Sequence, residues 1–316
     1  MAGMQPPPRN ALSVDVEDYF QVSAFEGHVA GARWEALPWR VEANTDRVLA
    51  LLAEHGARAT FFTLGWVAER FPALVRRIVG QGHELASHGW SHVRITRQSP
   101  EELRADAGRT KALLEDTGGC PVAGYRAASF SIGRDTLWAH EVLADLGYRY
   151  SSSIFPVRHD LYGMREAPRF PFACAGGRLT ELPMSTVRVF GQNLPCAGGG
   201  YFRLLPYAYT RWALRRLNRR EGRAALFYFH PWELDPGQPR QRGLPARARL
   251  RHYTNLERME PKLARLLGEF RWGRIDEVLL EAATRPELPE GAGRATLGLA
   301  AETPPPAGAG EGGGGA

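Results

Sequence analysis

Cysteine is scarce in this chain. Its 316 residues contain three, Cys120, Cys174 and Cys196, widely spaced and with no CxxC pair. An odd, dispersed set supports neither a disulfide framework nor a cysteine zinc site. Long apolar runs are also missing, and no stretch approaches the roughly 20 residues that a membrane-spanning helix needs. The first residues carry no apolar core behind a positive charge, so no secretory signal is expected and the cytoplasm is the expected location. No aromatic-basic interleaving suggests a nucleic-acid groove, so nucleic acid is not an expected partner. There is no internal repeat.

What is present is a large apolar fraction. Hydrophobic residues make up 44% of the chain, enough for one large domain with a full core or for two small ones. Net charge is +6. Much of the excess is arginine in helical stretches, as in Arg211, Arg215, Arg216, Arg219 and Arg220. Such a face meets an anionic glycan, a lipid headgroup or simply water. The two ends read differently from the middle. Residues 1–9, and the Pro/Gly/Ala-rich tail 286–316, cannot bury enough apolar surface to offset their chain entropy and are expected to be disordered. Residues 10–285 are expected to form the folded unit.

Within that unit, strand-like runs alternate with helical patterns. Ala11 to Val16, Arg58 to Leu64, His83 to Ser87, Val122 to Arg126 and Ala224 to Phe229 read as strands. Val41 to His55 and Trp66 to Val79 have helical spacing and stop at Gly56 and Gly80. Ser99-Pro100-Glu101-Glu102 is a capping box with proline at the first helical position. Asp135 is expected to cap a helix ending at Gly147, and Thr254 with Glu257 to cap a late one. Repeated strand–helix units predict an α/β fold with a parallel sheet or barrel. The segment from Phe155 to Tyr207 is rich in proline and glycine, and loops with short strands are expected there.

Chemistry-bearing residues gather at the ends of these strands. Asp15, His88, Arg126 and His230 all fall at or just after a predicted C-terminal strand end, where barrel enzymes place their chemistry. Strand alternation puts Asp15 and Glu17 on one face, with Asp18 just beyond. Acids at strand ends also cap helices or face water. His88 and His92, four apart on a helical turn, would reach one metal ion. With a carboxylate they make a two-His, one-carboxylate set, which leaves positions open for water and substrate. His230 is walled by Phe229 and Trp232. Desolvation would push it neutral unless an acid such as Glu233 opposes it; otherwise it is a satisfied core histidine. Arg126 would pair with Asp15 and hold it ionised, or form a surface salt bridge. Tyr201, in Gly198-Gly199-Gly200-Tyr201-Phe202-Arg203, and Trp232 are the aromatic candidates for contact with a sugar face. The glycines there are expected to form a loop lining the cleft, or a plain flexible turn.

Together these stretches resemble the polysaccharide deacetylases of carbohydrate esterase family 4. More narrowly, they resemble the branch encoded with exosortase-linked exopolysaccharide clusters, with its DUF3473-type C-terminal region. The resemblance runs from about Asn10 to Leu280. Ser13 to Phe20, Thr60-Phe61-Phe62, His83 to His92 and Phe229 to Glu233 carry it. It implies a distorted (β/α) barrel of about seven strands, and metal-dependent removal of N-acetyl groups from hexosamine-containing glycans. By position, Asp15 matches the base, His88 and His92 the metal ligands, Arg126 the residue orienting the base, and His230 the general acid. The chain departs from the commonest pattern where adjacent aspartates are replaced by Asp15-Val16-Glu17-Asp18, so either Glu17 or Asp18 would complete the metal set. It departs again where Ala127-Ala128-Ser129-Phe130 follows Arg126. Zinc is the default metal. The implied partner is an N-acetylated glycan, an exopolysaccharide or its precursor. Peripheral contact with the inner membrane or with the exopolysaccharide synthesis machinery fits the basic surface. The competing functions are hydrolysis of a lipid-linked aminosugar or small cyclic amide, glycan binding without catalysis, and a structural role in an export complex.

Overall fold

A computed structural model describes residues 8–29, 31–159 and 162–284. The expectations for residues 1–7 and for the tail 286–316 lie outside the described residues. Eleven strands form among the described residues: β1 (Asn10–Val16), β2 (Thr60–Thr63), β3 (Glu84–Ser87), β4 (Gly124–Tyr125), β5 (Tyr150–Ser151), β6 (Phe172–Cys174), β7 (Leu179–Glu181), β8 (Thr186–Val189), β9 (Gln192–Pro195), β10 (Leu226–Phe229) and β11 (Trp272–Gly273). Seven run parallel in the order β10-β1-β2-β3-β4-β5-β7. β6 adds an antiparallel edge on β7, and β11 pairs with the start of β1. β8 and β9 form a separate hairpin. The main sheet curls into an open, distorted (β/α) barrel.

Alternation along the strands sorts the core into layers. In β1, Leu12, Val14 and Val16 point to one face, in one cluster with Phe61 of β2 and Phe227 and Phe229 of β10. The helices Val41–Glu54, Tyr207–Arg219 and Met259–Glu269 cover that face with Val48, Leu52, Leu214, Leu217, Leu263 and Leu266. The other face carries Ala11, Phe62, Ala86, Leu226 and Tyr228, the barrel interior. Both faces are apolar, as a parallel sheet covered on both sides requires. Each fully buried Leu, Val or Phe contributes roughly 1.5–3 kcal/mol by the area it removes from water. Ser13 and Asp15 share the inner face with Ala11, so the interior turns polar towards the C-terminal end of β1.

The helical expectations hold with adjustments, and Asp135 lies within a 3₁₀ turn, Arg134–Thr136, instead of capping the helix Ala139–Asp145. Ser99 accepts from the Glu102 N–H at 3.2 Å and Glu102 accepts from the Ser99 N–H at 2.7 Å, which starts the helix Pro100–Gly118. The pattern from Trp66 to Val79 breaks into Gly65–Arg70 and Pro72–Gly80. Pro72 has no N–H to continue the first helix and is well suited to begin the second. The late helix starts at Met259, after a 3₁₀ turn entered through Asn255 at φ 57°, so Thr254 does not cap it. The expected loop at Gly198–Arg203 is instead the start of a short helix, Gly199–Leu204. No helix among the described residues is long and apolar enough to cross a membrane.

Candidate active site

β10, β1, β3 and β4 end on one side of the sheet, with β2 between β1 and β3, and the residues at those ends converge. Asp15 and Glu17 come from β1 and the residue just beyond it, and Arg126 follows β4. His88 and His92 follow β3. They sit on an irregular loop instead of the expected helical turn, with Gly89 at φ 72° and His92 at φ 57°. The loop is pinned from outside. Gly65 and Trp66 donate to the carbonyls of Gly89 and Trp90, and Asp106 accepts from the Trp90 N–H at 3.0 Å. The loop still brings the two imidazoles together, with ring centroids 5.2 Å apart. After β10, Pro231 cannot extend the strand, and a 3₁₀ turn over Pro231–Leu234 folds Glu233 back under His230.

Glu17, His88 and His92 are all buried, and their ligand atoms lie within 4.8 Å of one another. His88 Nδ1 is 2.8 Å from the Arg126 carbonyl, which fixes the tautomer and leaves Nε2 facing the site. Glu17 Oε2 lies 3.2 Å from His92 Nε2 but accepts no hydrogen bond, and His92 Nδ1 is likewise without a partner. Burial lowers the pKa of His88, and lowers that of His92 far more, with the His88 charge adding to it. Both rings are therefore neutral, the form that ligates. Burial pushes the Glu17 carboxyl up to about 7. Orphaned oxygen and nitrogen atoms, a carboxylate with raised proton affinity and two neutral imidazoles fit a divalent cation.

Asp18 lies outside this group. Its carboxylate accepts from the backbone N–H of Tyr19 at 2.8 Å, Arg40 at 2.7 Å and Val41 at 3.0 Å. It fastens the end of β1 to the helix at Val41.

Asp15 and Arg126 form a buried pair, with Nη1 to Oδ1 at 2.5 Å. Arg126 is fully buried. It also donates to Ser13 Oγ at 2.9 Å, to Ser152 Oγ at 3.0 Å and to the Ser152 carbonyl at 3.1 Å, and it lies 4.0 Å over the Phe62 ring. Asp15 Oδ2 is left towards His230, whose Nε2 is 4.0 Å away. His230 Nε2 is also 3.5 Å from Glu17 Oε1, and its Nδ1 is 3.2 Å from Glu233 Oε2. Its side chain is 18% exposed, against 2–6% for Glu17, Asp15 and His92, so His230 stands at the mouth. Burial opposes its charge, but the Glu233 hydrogen bond and the Glu17, Glu233 and Asp15 carboxylates raise its pKa to about 9.

Behind His230 stands a residue that no local pattern marked. Arg203 is 1% exposed and donates through Nε to Glu233 Oε1 at 2.9 Å. Its remaining N–H groups go to the carbonyls of Arg251 at 3.0 Å, His252 at 3.2 Å and Thr254 at 2.5 Å. Despite burial, Arg203 and His230 hold the Glu233 carboxyl down at about 2. Trp232 is also behind the site. Its ring stacks between His230 (5.1 Å) and His252 (4.1 Å), and its Nε1 donates to Glu17 Oε1 at 3.3 Å. At 5% exposure it supports the ion pairs and presents little face to a ligand. Tyr201 is half-buried, edge-on to Phe155 at 6.3 Å in the cluster that includes Tyr162 and Tyr228.

Residues 27–151 match the family model for polysaccharide deacetylase, and residues 152–280 match a domain of unknown function, DUF3473. Over that first stretch the chain is similar to the polysaccharide deacetylases. The deacetylase match begins after Asp15 and Glu17 and ends before His230, so within the site it covers His88, His92 and Arg126. The barrel runs across the boundary, since β5 pairs with β7 and β10 with β1. Over 75 residues the chain is 36% identical to a peptidoglycan-N-acetylglucosamine deacetylase of Bacillus cereus, covering 24% of this chain and 27% of that one. Over 128 residues it is 32% identical to a chitooligosaccharide deacetylase of a Bradyrhizobium species, covering 40% and 56%. The chain thus spans about a quarter to a half of these relatives. A solved Mycobacterium smegmatis structure described as a polysaccharide deacetylase shares the fold. The TM-score is 0.57 at 20% identity, over 91% of this chain and 98% of that one.

Proposed function

We propose that this chain is a polysaccharide deacetylase and a metal-dependent hydrolase. It removes N-acetyl groups from hexosamine residues of an exopolysaccharide or its precursor. One observation carries the reading. A Glu17–His88–His92 group, an Arg126-bound Asp15 and a Glu233-bound His230 meet at one end of the barrel. The relatives named for peptidoglycan and chitooligosaccharide support an N-acetylglucosamine polymer as the substrate class. Exopolysaccharide is the narrower class implied by the branch that the motifs resemble.

Glu17, His88 and His92 would hold the cation, and two imidazoles with one carboxylate suit zinc. When bound, a divalent ion supplies Lewis-acid polarisation of the amide carbonyl and acidifies water. Asp15 is placed to accept the proton of the attacking water through Oδ2, because Arg126 holds Oδ1 and fixes the carboxylate plane. His230 is placed to give the proton from Nε2 to the departing amine, with Glu233 holding Nδ1. Hydrolysis then leaves acetate and a free amine on the sugar. Trp232 orients Glu17 and His230 from behind, and Tyr201 is the nearer candidate for a sugar face.

The test pairs metal content with acetate release from N-acetylglucosamine oligomers, for the native chain and a His88→Ala, His92→Ala double variant. Stoichiometric metal and metal-dependent acetate release in the native chain, both lost in the variant, are expected. Metal binding without release from any N-acetylated glycan would remove the activity. A native chain that binds no metal would remove the centre itself.

A further inference from the structure

We propose that the face built by the β8–β9 hairpin and the helix Tyr207–Arg219 docks this protein on an anionic phospholipid bilayer. The inner stripe of the helix is Thr210, Ala213, Leu214, Leu217 and Asn218, all buried. Trp212, Arg219 and Arg220 are exposed, and the stretch 207–220 holds five arginines and no acid. The cross-chain acids answer only part of this charge. Arg211 and Arg215 share Glu269, and Glu221 meets Arg169 at 3.0 Å and Arg216 at 4.0 Å. Among the described residues, Arg219 and Arg220 make no ion pair, nor does the exposed Arg188 of the hairpin.

The hairpin supplies the apolar element. Its turn places Phe190 at φ 46° and Gly191 at φ 76°. Positive φ at both central residues matches the twist of a two-residue hairpin turn, where small or polar residues are the usual choice. Here the first is a phenylalanine 101% exposed, held away from the fold by its own backbone. The base of the hairpin is firm. Val187 shares a core with Ala213, Leu214 and Leu217, and Tyr209 Oη donates to the Pro195 carbonyl at 2.9 Å. Three of the six large apolar side chains exposed among the described residues belong to this unit or adjoin it: Phe190, Trp212 (44%) and Leu204 (44%).

A projecting aromatic tip, an exposed tryptophan and the unpaired Arg188, Arg219 and Arg220 have the chemistry of a headgroup interface. The aromatics enter the boundary layer while the guanidinium groups meet phosphate. A protein partner would more simply take a concave apolar groove, whereas the apolar element here is a projecting hairpin tip. Leu204 ends the short helix whose opening glycines press on Tyr228 and Glu233. The proposal stands apart from the hydrolase reading, because it involves none of the residues assigned to that chemistry.

The experiment is co-sedimentation of the full chain with vesicles of phosphatidylcholine alone or mixed with phosphatidylglycerol, at low and high salt. Binding only to the anionic vesicles, weakened by salt, is expected. Neutralising Arg188, Arg219 and Arg220 together to glutamine should lower the partition coefficient on the order of 100-fold. Phe190→Ser, at a side chain with no packing to lose, should lower it about tenfold with an unchanged melting temperature. No binding by the native chain, equal binding to neutral vesicles, or binding that survives both variants would each overturn the proposal.

Discussion

Glu233 carries two partners on one carboxylate, Arg203 on Oε1 and His230 on Oε2, and is 1% exposed. Glu233→Gln would leave the Arg203 guanidinium buried without an anion. Removing one member of such a pair costs about 3–5 kcal/mol. It would also take a negative charge from beside His230 and leave one acceptor oxygen for two donors, so the His230 pKa falls from about 9. The sign follows from linkage. A histidine raised from 6.5 to about 9 contributes stability that is complete below 6.5 and lost as pH rises through 9. The variant should therefore lie furthest below the native chain at pH 6.5 and just below it, and the gap should narrow towards alkaline pH. Urea denaturation of the metal-free proteins across that range measures it, and a gap independent of pH would exclude His230 as its source. Of this network, His230 and Glu233 stand together in the sequence and were readable as a pair. Arg203 was not. Its burial is made by three carbonyls some fifty residues away, and on the page it is one more arginine in a basic chain.

The short helix Gly199–Leu204 shows what an element hides from its own sequence. The glycine run reads as a flexible loop, but its glycines are spacers. A Cβ on Gly199 would fall 1.7 Å from Glu233 Oε2, and one on Gly198, at φ 125°, would fall 2.5 Å from the Tyr228 ring. The helix start thus lies flush on the residue that holds His230. Glu233 has no room to retreat, clamped by Arg203 and His230. Gly199→Ala should therefore shift Glu233 and misplace His230, lowering acetate release by about 100-fold, the worth of one general acid. Metal content should stay at the native level, because Glu17, His88 and His92 lie on other elements. Loss of metal together with activity would point to a collapse of the barrel end instead. The same limit on local reading appears at His88 and His92. Spacing of four suggests a helical turn, whereas the rings are gathered by a loop pinned to Asp106 and Gly65, contacts made by neighbouring helices. Strand alternation was the safer guide, since it put Asp15 on one face with Ser13 from period alone.

At the scale of the whole barrel, the two ends hold different kinds of buried charge. The strands deliver the candidate site at their C-terminal ends, where the barrel reading of the sequence placed it, while the connections from Phe155 to Tyr207 carry no repeat from which β6 to β9 could be counted. At the opposite end, β3 begins with Glu84, turned inward. It is 8% exposed, and it accepts from Tyr150 Oη at 2.8 Å, from the Asp276 N–H at 3.2 Å and from Thr60 Oγ1. Burial, with the charge of Asp276 adding to it, raises its carboxyl from 4.5 to about 7. The folded chain therefore keeps a proton there that the unfolded chain releases. This contribution to stability is complete below 4.5 and declines as pH rises through 7, the reverse of a salt-bridged acid. Glu84→Gln mimics the protonated form at every pH. The unfolding free energy of the variant should match the native value near pH 4.5 and exceed it above 7, with acetate release unchanged because the site lies at the other end. Chemical denaturation at the two pH values decides it, and a variant that gains nothing at the higher pH would show that Glu84 is ionised and satisfied in the native barrel.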